Sequence, residues 1–382
     1  MPKHLLLIIN ICLVMVFLLL VPGKITAETG NKEEIKHIFI ISVDGLNYEG
    51  FISTLTPNIL KLAREGIIDE KSMALKTNSS EAAEASLLSG TLPDEHQFFK
   101  ADDRIEVDTI IDLFDKNNKS YAIVDGSGGR LKSFAVDEKQ YICLESSAAD
   151  QDVLTRALEY FEHNKPFFNY IYINDCKQAL LGLNEKEYYD AITGFDKCIG
   201  EFTGKLKKEN LYYNSLIIIT SPLSSSPSNL VPLIMYGPKC RDNTEITDSM
   251  VIDIVPTICK LTNMESLFNA KGIPLYDTIV VDDKDKYVYD NWIDELKKER
   301  VSTWSKYYIL QDECSKNLEE IESLRKEKES IFDFLGKKDE TIAGLKSRIL
   351  VERIAYVIMA FLGLIGYIAQ YRFLKKKFLF FD

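Results

Sequence analysis

Short, almost wholly apolar runs alternate with helical segments along the chain, and this alternation restricts the fold more than any other feature of the sequence. Strands are predicted for residues 38–43, 120–124, 167–173, 216–220 and 231–235. Helices are predicted for residues 56–65, 153–161, 188–206 and 249–261. Strands that are apolar at nearly every position are typical of a sheet buried on both faces. The sequence therefore predicts an α/β fold, with a mostly parallel sheet sandwiched by helices.

Polar residues follow three of the predicted strands. Asp44, Asp175 and Ser221 each come just after a strand ends. Sites in parallel sheets form beyond the carboxyl ends of the strands. We therefore expect a functional site at this edge of the sheet.

The amino-terminal residues 1–27 are typical of a secretory signal. Lys3 and His4 precede an apolar run that extends from Leu5 to Pro22, and Ala27 offers a small residue for cleavage. The run is also long enough to remain as a membrane anchor, so both interpretations stay open. A retained anchor would give the chain two membrane passes instead of one.

A second apolar segment, near the carboxyl end, predicts a transmembrane helix over residues 352–371. Its apolar part, Ile354–Tyr371, has about the length that crosses a bilayer. The basic tail 372–382 follows and contains Lys375, Lys376 and Lys377. Basic residues remain on the cytoplasmic side. We therefore expect a protein of the cell membrane, with its main domain extracytoplasmic and its carboxyl terminus in the cytoplasm.

Residues 290–350 predict a helical stalk. Charged residues dominate there, and apolar residues recur at alternating steps of four and three. Nine of the twelve positions in this pattern are apolar, counting Cys: Leu310, Cys314, Asn317, Ile321, Leu324, Lys328, Ile331, Leu335, Lys338, Ile342, Leu345 and Ile349. This heptad is typical of a coiled coil, and hence of self-association. A single helix that packs back on the domain is the alternative.

Net charge argues against one class of function, and cysteine spacing excludes another. The net charge is −12, which argues against a nucleic-acid partner because a polyanion requires a basic face. The seven cysteines include no closely spaced pair, which excludes a zinc finger.

Five blocks of sequence occur in an order that resembles a known superfamily. The blocks are ISVDGL at 41–46, TPNILKLAREG at 56–66, SLLSG with LPDEH at 86–96, VPLIMYGP at 231–238, and DIVPTI at 253–258 with GIPL at 272–275. They resemble type I phosphodiesterases (nucleotide pyrophosphatases) and sulfatases, which belong to the alkaline phosphatase superfamily. The resemblance implies an alkaline phosphatase-like domain over residues 36–280.

The resemblance also implies a particular chemistry. Such enzymes use a Ser or Thr nucleophile at a helix N-terminus, beside two divalent metals that activate it and clamp the reacting oxygens. By motif position, Asp44 and Asp175 match two of the metal carboxylates, and Ser80 falls at the nucleophile position. Thr77 and Ser79 lie nearby as alternative nucleophiles.

Most of the other ligands of that pattern are missing. The family has a His where this chain has Ala179, and an Asp-His pair where it has Pro222 and Leu223. Residues 224–230 contain no His, although the family's last ligand precedes the strand at Val231. A two-zinc site of the usual kind therefore has no complete ligand set, and no cofactor is expected unless the protein is active.

Three functions are consistent with these observations. The first is a non-catalytic relative (a pseudoenzyme) that serves in binding or assembly at the membrane. The second is an active hydrolase with a reduced site, in which Asp44 and Asp175 hold one divalent metal such as zinc and Ser80 is the nucleophile. The third is a structural protein whose function lies in the stalk.

Overall fold

The computed structural model describes residues 34–279 and 286–378, so the predicted signal segment 1–27 and residues 379–382 of the predicted basic tail lie outside the described residues. The chain divides into two units, Met1–Trp304 and Ser305–Asp382. The strands of the first unit are β1 His37–Val43, β2 Ile67–Met73, β3 Tyr121–Asp125, β4 Tyr141–Cys143, β5 Phe168–Ile173, β6 Ser215–Thr220, β7 Leu230–Tyr236 and β8 Thr244–Glu245.

One α-helix begins at a clear sequence signal, with Pro57 at its first helical position. The α-helices are α1 Tyr48–Ser53, α2 Pro57–Arg64, α3 Ser80–Ser89, α4 Pro93–His96, α5 Ile110–Lys116, α6 Asp150–Asn164, α7 Asp175–Leu181, α8 Glu185–Lys208, α9 Ile254–Leu261 and α10 Lys286–Phe378. Short 3-10 turns lie at Lys132–Phe134, Glu138–Gln140, Tyr212–Asn214, Val251–Asp253 and Tyr276–Thr278.

The eight strands form one sheet in the order β4-β3-β5-β1-β6-β7-β2-β8. β1 lies between β5 and β6 and is parallel to both. Only β7 runs antiparallel to its neighbours, β6 and β2. This arrangement confirms the predicted mostly parallel sheet, and it brings the carboxyl ends of β1, β5 and β6 to one edge.

Both faces of the sheet are buried. Ile38 and Ile40 of β1 pack into one apolar cluster, together with residues of α3, α5 and α9. Phe39, Ile41 and Val43 alternate to the opposite face and pack with residues of α1, α2, α6 and α8. Helices therefore cover the sheet on both sides, and the continuous apolar runs of the sequence follow from this double burial.

The final helix α10 includes the predicted stalk and the predicted transmembrane segment without interruption, over 93 residues. Within the described residues it is the one helix long and apolar enough to cross a membrane. Lys375, Lys376 and Lys377 lie in its last turn.

The first turns of α10 belong to the first unit. The Arg300 guanidinium donates two hydrogen bonds to the Asp253 carboxylate, at 2.7 and 2.6 Å. Asp253 is fully buried and also accepts the backbone N–H groups of Met250 and Ile273. One bidentate ion pair thus connects the start of α10 to the 3-10 turn Val251–Asp253.

Candidate functional site

The site forms around one carboxylate at the end of the central strand. Asp44 directly follows β1 and is 1% exposed. Its Oδ2 accepts the Ser80 hydroxyl at 2.9 Å and the Tyr172 hydroxyl at 2.5 Å. Ser80 is the first residue of α3, and Tyr172 lies on β5. The structure thus brings together Asp44 and Ser80, which sequence motifs placed in one site.

A lysine completes this cluster. The Lys177 ammonium lies 2.8 Å from Asp44 Oδ2 and also donates to Ser80 Oγ. Lys177 is the third residue of α7 and its side chain is 21% exposed. The close approach of its backbone explains Gly45, since a Cβ there would lie 2.7 Å from Lys177 N. The ammonium therefore contacts both the carboxylate and the hydroxyl at the centre of the site.

Tyr172 supplies a third donor. Burial and the Asp44 charge raise the pKa of its hydroxyl well above the ordinary value for tyrosine. The phenol therefore remains a neutral hydrogen-bond donor to Asp44. Its contact stabilises the ionised carboxylate without adding charge.

A second carboxyl group lies behind the first. Glu84 of α3 is fully buried and accepts hydrogen bonds from the hydroxyls of Ser42 and Tyr170. Burial raises its pKa well above the usual range, and the nearby Asp44 charge adds to this. Glu84 therefore points into the core, and it is not positioned in the open part of the site.

Asp175 makes different contacts from those of Asp44. Its Oδ2 accepts the backbone N–H of Asp150 at 3.0 Å, and Asp150 Oδ1 accepts the backbone N–H groups of Asn174 and Asp175. The two carboxylates thus clamp the first turn of α6 to the first turn of α7. Burial and the charge of Asp175 raise the pKa of Asp150 to about 7.

The alternative nucleophiles serve local structure. Ser79 is the N-cap of α3, and its hydroxyl accepts Ala82 N–H at 3.0 Å and donates to Phe99 O. Thr77 Oγ1 accepts the Ser79 N–H at 3.2 Å. Of the three hydroxyls, the one that the structure places against Asp44 is that of Ser80.

Histidines of the described part lie in structural positions. Phe98 N–H donates to His96 Nδ1, and His96 Nε2 lies 2.9 Å from Ser86 Oγ. Burial lowers the pKa of His96 to about 4, so the neutral ring holds the turn after α4. The ring nitrogens of His37 and His163 contact the backbone oxygens of Pro166 and Glu159.

The residues at the site do not fit a two-metal centre. Within residues 34–279 and 286–378, no three Asp, Glu, His or Cys side chains converge on a position that could hold a metal ion. At the positions of missing ligands, Ala179 is buried in α7, and the backbone oxygen of Leu223 accepts the Ser221 hydroxyl. A dication between Asp44 and Ser80 would also meet the Lys177 ammonium at close range, where like charges repel strongly.

The comparisons with known proteins identify the fold. No protein-family model matches this sequence. No curated protein matches it either. Solved structures do match: murine ectonucleotide pyrophosphatase/phosphodiesterase 5 is 12% identical with a TM-score of 0.56, over 64% of this chain and 100% of that one. This chain has the alkaline phosphatase-like fold.

Two further solved structures agree with this assignment. A 2-O GAG sulfatase is 15% identical with a TM-score of 0.54, over 66% of this chain and 76% of the sulfatase. The phosphonate monoester hydrolase of Silicibacter pomeroyi is 12% identical with a TM-score of 0.52, over 66% of this chain and 78% of that one. On an alkaline phosphatase-like fold, the cluster of Asp44, Ser80 and Lys177 lies at the edge of the sheet where sites are expected.

Proposed function

We propose that this chain is a non-catalytic member of its structural class, a pseudoenzyme that binds or assembles partners at a membrane. The observation that carries the proposal is the Lys177 ammonium, which contacts Asp44 Oδ2 and Ser80 Oγ together. In the related enzymes, as the resemblance implies, a metal contacts the nucleophile and the carboxylate. Here a side chain of the same protein supplies the positive charge.

The lysine satisfies the site structurally. A buried carboxylate without a partner costs several kcal/mol, and a paired one costs far less. Lys177, Ser80 and Tyr172 together give Asp44 Oδ2 three donors. The Ser80 hydroxyl donates a hydrogen bond to Asp44 and accepts one from Lys177. The chain itself therefore supplies both hydrogen-bond partners of Ser80.

The membrane location and self-association form part of the same proposal. The apolar end of α10 serves as the anchor. The three lysines in the last turn of α10 support an orientation with the carboxyl terminus in the cytoplasm and the folded domain outside. The heptad pattern of the stalk brings copies of the chain together. Neither property requires catalysis.

Metal analysis and turnover of one protein sample test the proposal. The purified chain is assayed for bound zinc and for hydrolysis of bis(nitrophenyl) phosphate and of a nitrophenyl sulfate, beside a Ser80→Ala variant. We expect no stoichiometric zinc and no turnover above the Ser80→Ala background. Stoichiometric zinc with turnover that Ser80→Ala abolishes would overturn the pseudoenzyme proposal.

One observation favours an active hydrolase as the second candidate. The Ser80 hydroxyl donates to Asp44 Oδ2 at 2.9 Å, so the carboxylate is placed to accept its proton during nucleophilic attack. Lys177 would then stabilise the negative charge of the reacting group. Turnover without zinc, abolished by Ser80→Ala and reduced by Lys177→Met, would support this candidate.

A further inference from the structure

An exposed apolar stripe runs along the stalk part of α10. Its members are between 47% and 62% exposed: Leu310, Ile321, Leu324, Ile331, Leu335, Ile342, Leu345 and Ile349. We propose that this stripe is the interface of a parallel, in-register, two-stranded coiled coil with a second copy of this chain. The inference rests on the proposed self-association and anchoring, and it adds direction, register and number of strands.

The direction follows from the continuity of α10. The helix passes from the stalk into the membrane-spanning segment without a break. Two copies inserted the same way into one bilayer must run in the same direction, with equivalent residues at the same height. Each heptad position then lies opposite the same position of the second copy.

The register assigns Cys314, Ile321, Lys328, Leu335, Ile342 and Ile349 to position a. Position d then holds Leu310, Asn317, Leu324, Ile331, Lys338 and Leu345. Ile at a combined with Leu at d favours two strands, and a polar residue at a specifies register. Among these positions, the reverse arrangement occurs once, with Ile331 at position d and Leu335 at position a.

Charges beside the seam are complementary across this interface. Glu320 at position g faces Arg325 at position e of the second copy. Lys328 at a has Glu327 beside it at g, and Lys338 at d has Asp339 beside it at e. In a parallel pair, each seam lysine therefore lies next to a carboxylate of the opposite helix.

Ion pairs within the helix use a different face. Lys316 pairs with Asp312 at 3.4 Å and Lys326 with Glu322 at 3.7 Å, all at outer positions b, c and f.

Glu320 and Arg325 form no ion pair among the residues that the structure describes. Gly336 and Gly344, which weaken a helix, also lie at outer positions b and c. Glu320 and Arg325 are thus available to a second copy, and none of the seam positions between residues 310 and 349 holds a glycine.

Cysteine cross-linking in membranes tests direction and register. The full chain is used with Cys143→Ser, which removes the other exposed cysteine of the described part, and with copper(II) phenanthroline as the oxidant that takes up the two electrons of disulfide formation. We expect the natural Cys314 to cross-link with its equivalent. In a Cys143→Ser/Cys314→Ser chain, we expect Ile321→Cys at a to cross-link at least tenfold faster than Glu319→Cys at the outer position f.

A charge exchange tests the predicted contact between copies. Glu320→Arg places two arginines opposite each other, and we expect it to weaken dimerisation by about 3- to 10-fold. The double variant Glu320→Arg/Arg325→Glu restores opposite charges and should recover the original dissociation constant. Sedimentation of the full chain in detergent measures both the constant and the number of strands.

The outcomes separate this inference from the broader proposal. Dimers with rapid cross-linking at 314 and 321 support it, as does rescue by the double variant. Dimers that cross-link equally at 319 and 321, or trimers in sedimentation, overturn the inference and leave self-association intact. A monomer at every concentration overturns both, while the zinc and turnover assay still tests the pseudoenzyme proposal separately.

Discussion

The Lys177 ammonium connects three elements through two side chains, because Asp44 follows β1 and Ser80 begins α3 while Lys177 belongs to α7. We expect Lys177→Met to lower the free energy of unfolding by about 2–4 kcal/mol, since it leaves the buried Asp44 carboxylate without its cation. Urea unfolding of a fragment containing residues 34–304 measures the change.

Two variants control this measurement. Lys186 forms an exposed ion pair with Asp190, and Lys186→Met should leave the unfolding free energy nearly unchanged because water screens such pairs. Asp44→Asn combined with Lys177→Met removes both charges and should be more stable than Lys177→Met alone. A double variant that is no more stable than Lys177→Met would show that the Lys177–Asp44 pair does not account for the loss.

Asp150 should make stability depend on pH. Its pKa is raised to about 7 in the folded state, whereas an unfolded Asp titrates near 4. The folded state therefore holds a proton on Asp150 between these two pH values. The contribution of Asp150 to the free energy of unfolding is full below pH about 4 and is lost as the pH rises through about 7. Asp150→Asn should remove this slope and exceed the wild type in stability at pH 8.

Thermal melts of both proteins between pH 4 and pH 8 check the expectation. Each unit of pKa shift corresponds to about 1.4 kcal/mol, so the difference between variant and wild type should grow with pH. Asp152→Asn, an exposed change in the same helix turn, should leave the pH profile unaltered. If the stability of the wild type changed with pH in parallel with that of Asp150→Asn, the Asp150 carboxyl would not be the cause of the pH dependence.

Sequence motifs predicted part of the site. By motif position, Asp44 matched a metal carboxylate and Ser80 matched the nucleophile, and Ser80 Oγ lies 2.9 Å from Asp44 Oδ2. Lys177 was not predicted, because a motif comparison searches for the expected ligands and not for a substitute charge. A lysine two residues after Asp175, where the family pattern requires cations nearby, is the signal that would have identified it.

Arg300 at the start of α10 contributes to the folded domain. Its pair with Asp253 is largely buried, with side-chain exposures of 13% and 0%. We expect Arg300→Met to cost about 3–5 kcal/mol, because it leaves Asp253 as an uncompensated buried charge. Lys298→Met, at an exposed neighbouring position, is the matched control.

Fragment stability provides the measurement. A fragment that ends at residue 304 should unfold cooperatively, and one that ends at residue 295 should show a loss of stability similar to that of Arg300→Met. Equal stability of the two fragments would mean that the ion pair contributes nothing to the domain.

Elements were predicted well where the pattern was strong. The apolar strands and α8 lie within a few residues of their predicted bounds, because burial on both faces requires an unbroken apolar run. β2 was missed, since Asp69, Glu70, Lys71 and Ser72 interrupt its apolar pattern. The predicted helix 249–261 begins only at Ile254, after a 3-10 turn in which the Asp253 carboxylate accepts the Met250 N–H.

At the scale of the whole molecule, the apolar end of α10 should decide where the protein resides. A chain with residues 1–27 replaced by a cleavable secretion signal is expected to remain in membranes after alkaline carbonate extraction. Truncation after residue 350 should release it, and truncation after residue 371 should not, because the span is then kept. A released full chain would contradict anchoring.

Protease protection of the same chain tests orientation. Protease added to the outside of intact cells should digest the folded domain and leave a tag placed after residue 382 protected. Digestion of the tag alone would reverse the orientation inferred from Lys375, Lys376 and Lys377.

The covalent attachment of the Lys177 amine has a consequence for the environments that this protein tolerates. A bound zinc ion can be lost to a chelator or fail to load where zinc is scarce, whereas an amine on α7 is present in every folded copy. Surroundings that strip the metal from an ordinary phosphodiesterase should therefore leave this arrangement unchanged. The positive charge beside Asp44 is part of the polypeptide and does not depend on the concentration of zinc around the protein.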